Sequence, residues 1–372
     1  MTSFSKLFLF CSFFAFAGQA FSAELDDRLN RDVDKAHNSK SFRKGQFLAV
    51  PIPMSNPTIG SGLQAALLYM HPSKKNSADS PNATSGLGGM YTDTDSWVAG
   101  LFHDNYLFDD RLRVRGVVGT GDVNVNFYGS GSDPAFADDP VQYNLTANVA
   151  LIQALGRLPG TKDWFGGLKV VVMESTITFD LDALIPGIPV LDDDMKIANM
   201  AVVVNYDNRD NNYYPRTGRF LNMEVGRDDE SLGSDYSFDR YTLSYNHYFS
   251  ASEKSVIAVR GYSSMVDGEA PFFLMPTLNM RGFSSGRYQD EAAVSGHLEW
   301  RHKFHPRWGF MLSAEVGSVG NSISNALDNK VVTSTGAGIR WQVSKKQAMH
   351  LGLDVGVSED GEAIYLHVGE KF

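Results

Sequence analysis

Apolar and polar residues alternate with a period of two along the last third of the chain. Met349, Leu351, Leu353, Val355 and Val357 alternate with His350, Gly352, Asp354 and Gly356, and Ile364, Leu366, Val368 and Phe372 with Tyr365, His367, Gly369 and Lys371. Further back, Val294, Leu298 and Trp300 alternate with Ser295, His297, Glu299, Arg301 and Lys303. Trp308, Phe310, Leu312, Ala314 and Val316 alternate with Met311, Ser313, Glu315 and Gly317, and Ala337, Ile339 and Trp341 with Gly336, Gly338, Arg340 and Gln342. A period of two puts successive side chains on opposite faces of a β-strand. The polar face here is small and ionisable, as suits a wall with lipid outside and a wet lumen inside; a soluble sandwich tends to place charge on its outer face.

Upstream, strands are expected near 46–53, 61–71, 86–93, 97–107, 111–128, 141–155, 165–179, 199–209, 217–227, 236–249 and 254–265. With the five C-terminal strands the total is about sixteen, an even number as bacterial barrels require. Short connectors at Phe108-Asp109-Asp110, Ala251-Ser252-Glu253, His305-Pro306-Arg307 and Ser344-Lys345-Lys346 alternate with long ones at 129–140, 180–198, 228–235, 266–288 and 320–330. Short periplasmic turns and long external loops give that rhythm. The expected fold is an all-β, transmembrane antiparallel barrel over residues 46–372. The first strand, Gln46-Phe47-Leu48-Ala49-Val50-Pro51-Ile52-Pro53, carries two prolines that lack an N–H donor. Either the strand ends before Pro51, or its seam with the last strand is poorly bonded.

The N-terminus narrows the compartment. Lys6, the apolar run Leu7–Ala17 and the small residues Gly18-Gln19-Ala20 and Ser22-Ala23 form an export signal over residues 1–23, too short to span a bilayer as a helix, with cleavage expected after Ala20 or Ser22. The only cysteine, Cys11, falls inside it, which excludes disulfide and thiol chemistry from the mature chain. Residues 24–45 read as a short periplasmic segment. No later apolar run approaches a transmembrane helix. A net charge of −10 argues against a nucleic-acid partner.

Candidate chemistry is sparse. No H-E-x-x-H or C-x-x-C spacing occurs, and an enzyme, a metal site and a cofactor are not expected. His297, His350 and His367 share the inward face, and Asp192-Asp193-Asp194 reads as a solvated acidic loop. Glu299 and Glu315 fall on the inward face of adjacent strands, where one arginine could reach both; a guanidinium is a rigid fork for two carboxylates. Asp207, Arg209 and Asp210, followed by Pro215 and Gly218, form a strand-turn-strand motif in which aspartates cap turn amides and glycine permits a positive φ.

The segment Met280-Arg281-Gly282-Phe283, followed by five strands running to Phe372, resembles the BamA/TamA superfamily of outer-membrane barrels, also called the bacterial surface-antigen family. The Asp207–Gly218 motif is similar to a second pattern of that family. The resemblance implies that the external loop folds into the lumen and that Arg281, Gly282 and Phe283 lock there against Glu299 and Glu315, where the family often has aspartate at the second position. Arg287, just beyond the motif, is expected to matter much less. It implies that Phe372 ends an assembly signal read by the barrel assembly machinery, and that the partners include outer-membrane lipids such as lipopolysaccharide. Better-known members carry periplasmic POTRA modules, and the roughly 21 residues from Glu24 to Lys44 cannot hold one, since a stable domain usually needs at least about 40. Insertion, translocation or membrane remodelling through a weak first-to-last seam is one expectation, and a plugged or low-conductance pore is the other.

Overall fold

Sixteen strands form one antiparallel sheet in strict sequence order. They are β1 (Gln46–Asn56), β2 (Gly60–Met70), β3 (Thr84–Thr92), β4 (Trp97–Leu107), β5 (Leu112–Phe127), β6 (Val141–Arg157), β7 (Trp164–Phe179) and β8 (Leu191–Asp207). There follow β9 (Gly218–Asp228), β10 (Phe238–Ser250), β11 (Ser255–Gly268), β12 (Ala292–His305), β13 (Trp308–Gly320), β14 (Val332–Ser344), β15 (Met349–Ser358) and β16 (Gly361–Val368). One short helix, α1 (Ile323–Asp328), sits in the β13–β14 loop. This computed structural model describes residues 45–372 except 57, 73–82, 180–190, 211–213, 345–348 and 369. The export segment and the polar stretch to Lys44 lie outside the described residues.

The outward face is the apolar one through most of the wall. Leu101, Val118, Ile152, Leu168, Val202, Val225, Leu298, Leu312, Ile339 and Leu353 are all exposed there, which is stable against acyl chains and would be costly in water. On β5 to β8 the pattern then inverts. Towards the loop end of β7, outward Leu168, Val170 and Val172 give way to Glu174 and Thr176, while inward Val171, Met173 and Ile177 become buried and apolar. The neighbours match. Lys196 on β8 meets Glu174 at 2.8 Å, Thr176 donates to Asp194, and Asn144 on β6 donates to Asp122 on β5. The strand has left the bilayer, so water replaces lipid outside and the barrel interior becomes the only dry side.

That inversion corrects two expectations. β8 begins at Leu191, so Asp192-Asp193-Asp194 belongs to a strand and not to a solvated loop. Connector length is also less regular than expected: the 57–59, 93–96 and 359–360 connectors are short at the loop end, while 71–83 and 208–217 are longer at the turn end.

The interior of the inverted zone is filled. Val123, Val125, Tyr143, Leu145, Met173, Ile177, Ile197 and Phe238 pack around Phe273 and Leu274 from a 3₁₀ turn in the β11–β12 loop. Phe272 of the same turn packs edge-on against Phe127 and Tyr143 and tilted against Phe179, with ring centroids 4.6, 5.8 and 5.9 Å away.

β1 runs straight through its prolines, in register with β2 at Pro51↔Ala65 and Pro53↔Leu63. The reading in which the strand stops before Pro51 is therefore corrected. An edge strand tolerates this when its two missing N–H groups, two residues apart and so on one side, face away from the partner. β1 and β16 lie side by side, but among the described residues no ladder register joins them.

Candidate functional site

The β11–β12 loop enters the barrel between Gly268 and Ala292 as an irregular hairpin, with Leu278 N–H donating to Tyr288 O and Asp290 N–H to Pro276 O. Leu278, Met280, Phe283 and Tyr288 bury themselves against Ala293, Val319 and Val332 of the wall. Strand glycines make the room. A Cβ at Gly356 would lie 2.7 Å from Arg281 Cβ, and one at Gly317 would lie 2.7 Å from Met280 Sδ. Gly282 itself has φ +85°, a conformation that a side chain would strain. Its N–H donates to the Tyr365 hydroxyl at 2.9 Å, and its carbonyl accepts from Ser358 Oγ at 2.8 Å.

Arg281 is 2% exposed and meets three carboxylates. Nη2 lies 2.6 Å from Glu299 Oε1, Nη1 2.5 Å from Glu315 Oε1 and Nε 3.2 Å from Asp354 Oδ2, while its backbone N–H donates to Glu315 Oε2 at 2.6 Å. Burial alone would weaken the charge, but the three carboxylates outweigh it and hold the guanidinium protonated. Glu299 and Glu315 thus stand where the alternation placed them, on β12 and β13. The third acceptor, Asp354 on β15, was not singled out from the sequence, although its inward phase was legible.

A second tier surrounds the first. Arg301 pairs with Glu299 at 2.6 Å, Arg340 pairs with Asp354 and, at 2.9 Å, with Glu370, and Lys371 reaches Glu315 at 3.3 Å. Arg281, Arg301, Arg340 and Lys371 therefore face Glu299, Glu315, Asp354 and Glu370, four charges of each sign in a site that is buried except at Lys371. His297 and His367 join the rim at 3.4 Å from Glu315 and 3.2 Å from Asp354. His350 is buried and packs at a tilt against Tyr214, ring centroids 4.8 Å apart, so the three inward histidines do not form one cluster.

Phe372 departs from the expected phase. The chain leaves β16 at Val368 and turns into the lumen, so that Glu370 and Phe372 are both buried. Phe372 packs on Tyr248 and Ala258, its ring centroid is 5.7 Å from His297, and Arg301 Nη2 donates to its carbonyl oxygen at 2.6 Å. Continued alternation would have turned Glu370 towards lipid. The inward turn gives that carboxylate two guanidinium partners instead.

The turn motif serves the β8–β9 connection. Arg209 donates twice to Asp207 at 2.9 and 2.8 Å, and Asp210 Oδ1 accepts from the amides of Arg216 and Thr217. Gly218 has φ +103°, and a Cβ there would sit 2.5 Å from Asn208 O. Pro215 is buried beside it.

The Omp85 superfamily domain matches residues 89–346. This chain belongs to the Omp85 superfamily. The fold agrees with solved Omp85 barrels. BamA from Haemophilus ducreyi lacking POTRA domains 1–3 superposes with a TM-score of 0.60 at 14% identity, over 88% of this chain and 70% of that one. CdiB from Escherichia coli gives 0.61 at 10% identity, over 89% and 63%, and CdiB from Acinetobacter baumannii 0.57 at 10%, over 88% and 59%. No curated protein sequence matches this one. The protein is an Omp85 β-barrel of the bacterial outer membrane.

Proposed function

We propose that this Omp85 barrel acts on protein or lipid at its β1/β16 seam, as an insertion, translocation or membrane-remodelling device, and not as a passive pore. The observation that carries the reading is an internal bracket. The seam lacks a ladder of its own among the described residues, and the lumen loop holds its two sides together from within. Ser285 N–H donates to Thr58 Oγ1 in the β1–β2 turn at 2.6 Å. On the other side, Gly282 binds Tyr365 and Ser358, and Arg287 Nη2 sits 2.6 Å from Asp360 in the β15–β16 turn. A loop so placed can set how readily the seam parts. The apolar plug at the loop end and the ion network beside it support this reading over an open pore. Lipopolysaccharide as a neighbour and the barrel assembly machinery during biogenesis belong to the same proposal.

The test compares disulfides. One series joins β1 to β16; the control joins Val204→Cys on β8 to Met223→Cys on β9, which are opposite one another in register. Lipid scrambling and insertion of a client barrel should fall when the seam is tied and be unchanged in the control, with low planar-bilayer conductance throughout. Equal effects of both disulfides, or a large steady conductance, would favour a pore.

A further inference from the structure

The lipid-facing wall sorts its ionisable groups by depth. At the loop end the outward charges are mixed and mainly acidic: Asp122, Glu174, Asp194 and Asp239, with Lys196 and Arg227. At the turn end, among the described residues in or next to the strands, they are His71 just past β2, His103 on β4, Arg219 on β9, His247 on β10, and His302 and His305 on β12. No outward carboxylate accompanies them. This is the interfacial depth of the wall, since four of the five tryptophans, Trp164, Trp300, Trp308 and Trp341, lie there on outward positions.

Four of these histidines are held in place. His71 Nε2 and His103 Nδ1 converge on Ser85 Oγ at 2.9 and 2.8 Å, their ring centroids 5.5 Å apart. Gly116 is opposite His103, and nothing lies within 4 Å of where its Cβ would be, so the outer side of this pair is open. His247 stacks on Phe249 at 3.9 Å beside Tyr245, with Arg219 opposite it in register. His302 packs against Trp300 and Phe310 at 5.9 and 5.4 Å and binds Ser255 Oγ at 2.7 Å. The titratable and charged groups facing these rings are one another, the Tyr69 and Tyr245 side chains and Arg219.

We infer that this girdle is a binding surface for the anionic phospholipid headgroups of the periplasmic leaflet, and that its affinity rises as the histidines take up protons. The partner follows from position and charge. A set of imidazoles and one guanidinium at headgroup depth, with no outward carboxylate partner among the described strand residues, flanked by aromatic anchors and continuous with the apolar wall, meets phosphates and little else. Imidazole is the side chain whose charge changes between about pH 5 and 8. Arg219 supplies the part of the attraction that does not depend on pH.

The test uses the full chain in phosphatidylcholine vesicles containing brominated phosphatidylglycerol, whose quenching of the girdle tryptophans gives the affinity of one lipid relative to the other. Preference for phosphatidylglycerol should rise about threefold or more between pH 7.5 and 5.5 and shrink in high salt. Substituting His71, His103, His247, His302 and His305 by Gln should abolish the rise, and the milder pair His247→Gln with His302→Gln should remove part of it if the fivefold variant does not fold. Arg219→Gln should lower the preference at both pH values and keep the rise. A flat preference, or a rise that persists in the substituted barrels, overturns the inference.

Discussion

Arg281 concentrates the energetics of the site in one side chain. Removing one member of a buried, hydrogen-bonded charge set typically costs about 3 to 5 kcal/mol, because the remaining charges stay buried without a partner. Arg281→Ala should therefore lower the denaturant midpoint of the purified barrel and open residues 269–291 to protease. Arg281→Lys should recover little, since an ammonium cannot bridge three carboxylates as the guanidinium fork does. Arg287 is less idle than its place beyond the motif suggests: it binds Asp360 and the Ala137 carbonyl, each at 2.6 Å. Its pair is partly exposed, so Arg287→Ala should cost less than Arg281→Ala. The Asp360 carboxyl feels burial pushing it up, but hydrogen bonds from Arg287 and Tyr288 outweigh that and hold it below the usual carboxylate range. A carboxyl lowered on folding contributes stability above its unfolded pKa near about 3.9 and loses it as pH falls through the folded value. This tether should thus survive throughout the range in which histidines titrate, and a stability scan against pH should show its loss only in strong acid.

At the scale of elements, the inward tail after β16 gives Phe372 a packing role that needs no assembly factor. Phe372→Ala should destabilise the barrel refolded in detergent by about 3 to 5 kcal/mol. If the purified variant is as stable as the parent and only its yield in the membrane falls, the residue acts as an assembly signal alone. The tail also shows where reading by alternation stops. β12 to β16 were legible because lipid outside and polar side chains inside impose one phase from end to end, and Glu299 and Glu315 followed from it. Glu370 was not, because the chain leaves the strand and the phase ends with it. The start of β8 was missed for a different reason. Beyond the bilayer the solvent changes sides, so a strand keeps its period and exchanges its faces, and a run such as Asp192-Asp193-Asp194 then resembles a loop.

The whole molecule is lopsided. β6 and β8 have 17 residues each and β16 has eight. The inverted parts of β5 to β8 rise above the lipid as a curved parapet, dry within and wet without, while the wall beside β16 carries no comparable extension. A barrel of even height would look alike to neighbours on every side. This one has a front and a back: a neighbour beside β7 is shouldered by protein, and one beside β16 has open space. Rotation about the membrane normal is therefore not a neutral motion for this protein, and which flank meets a neighbour is a property written into the unequal lengths of its strands.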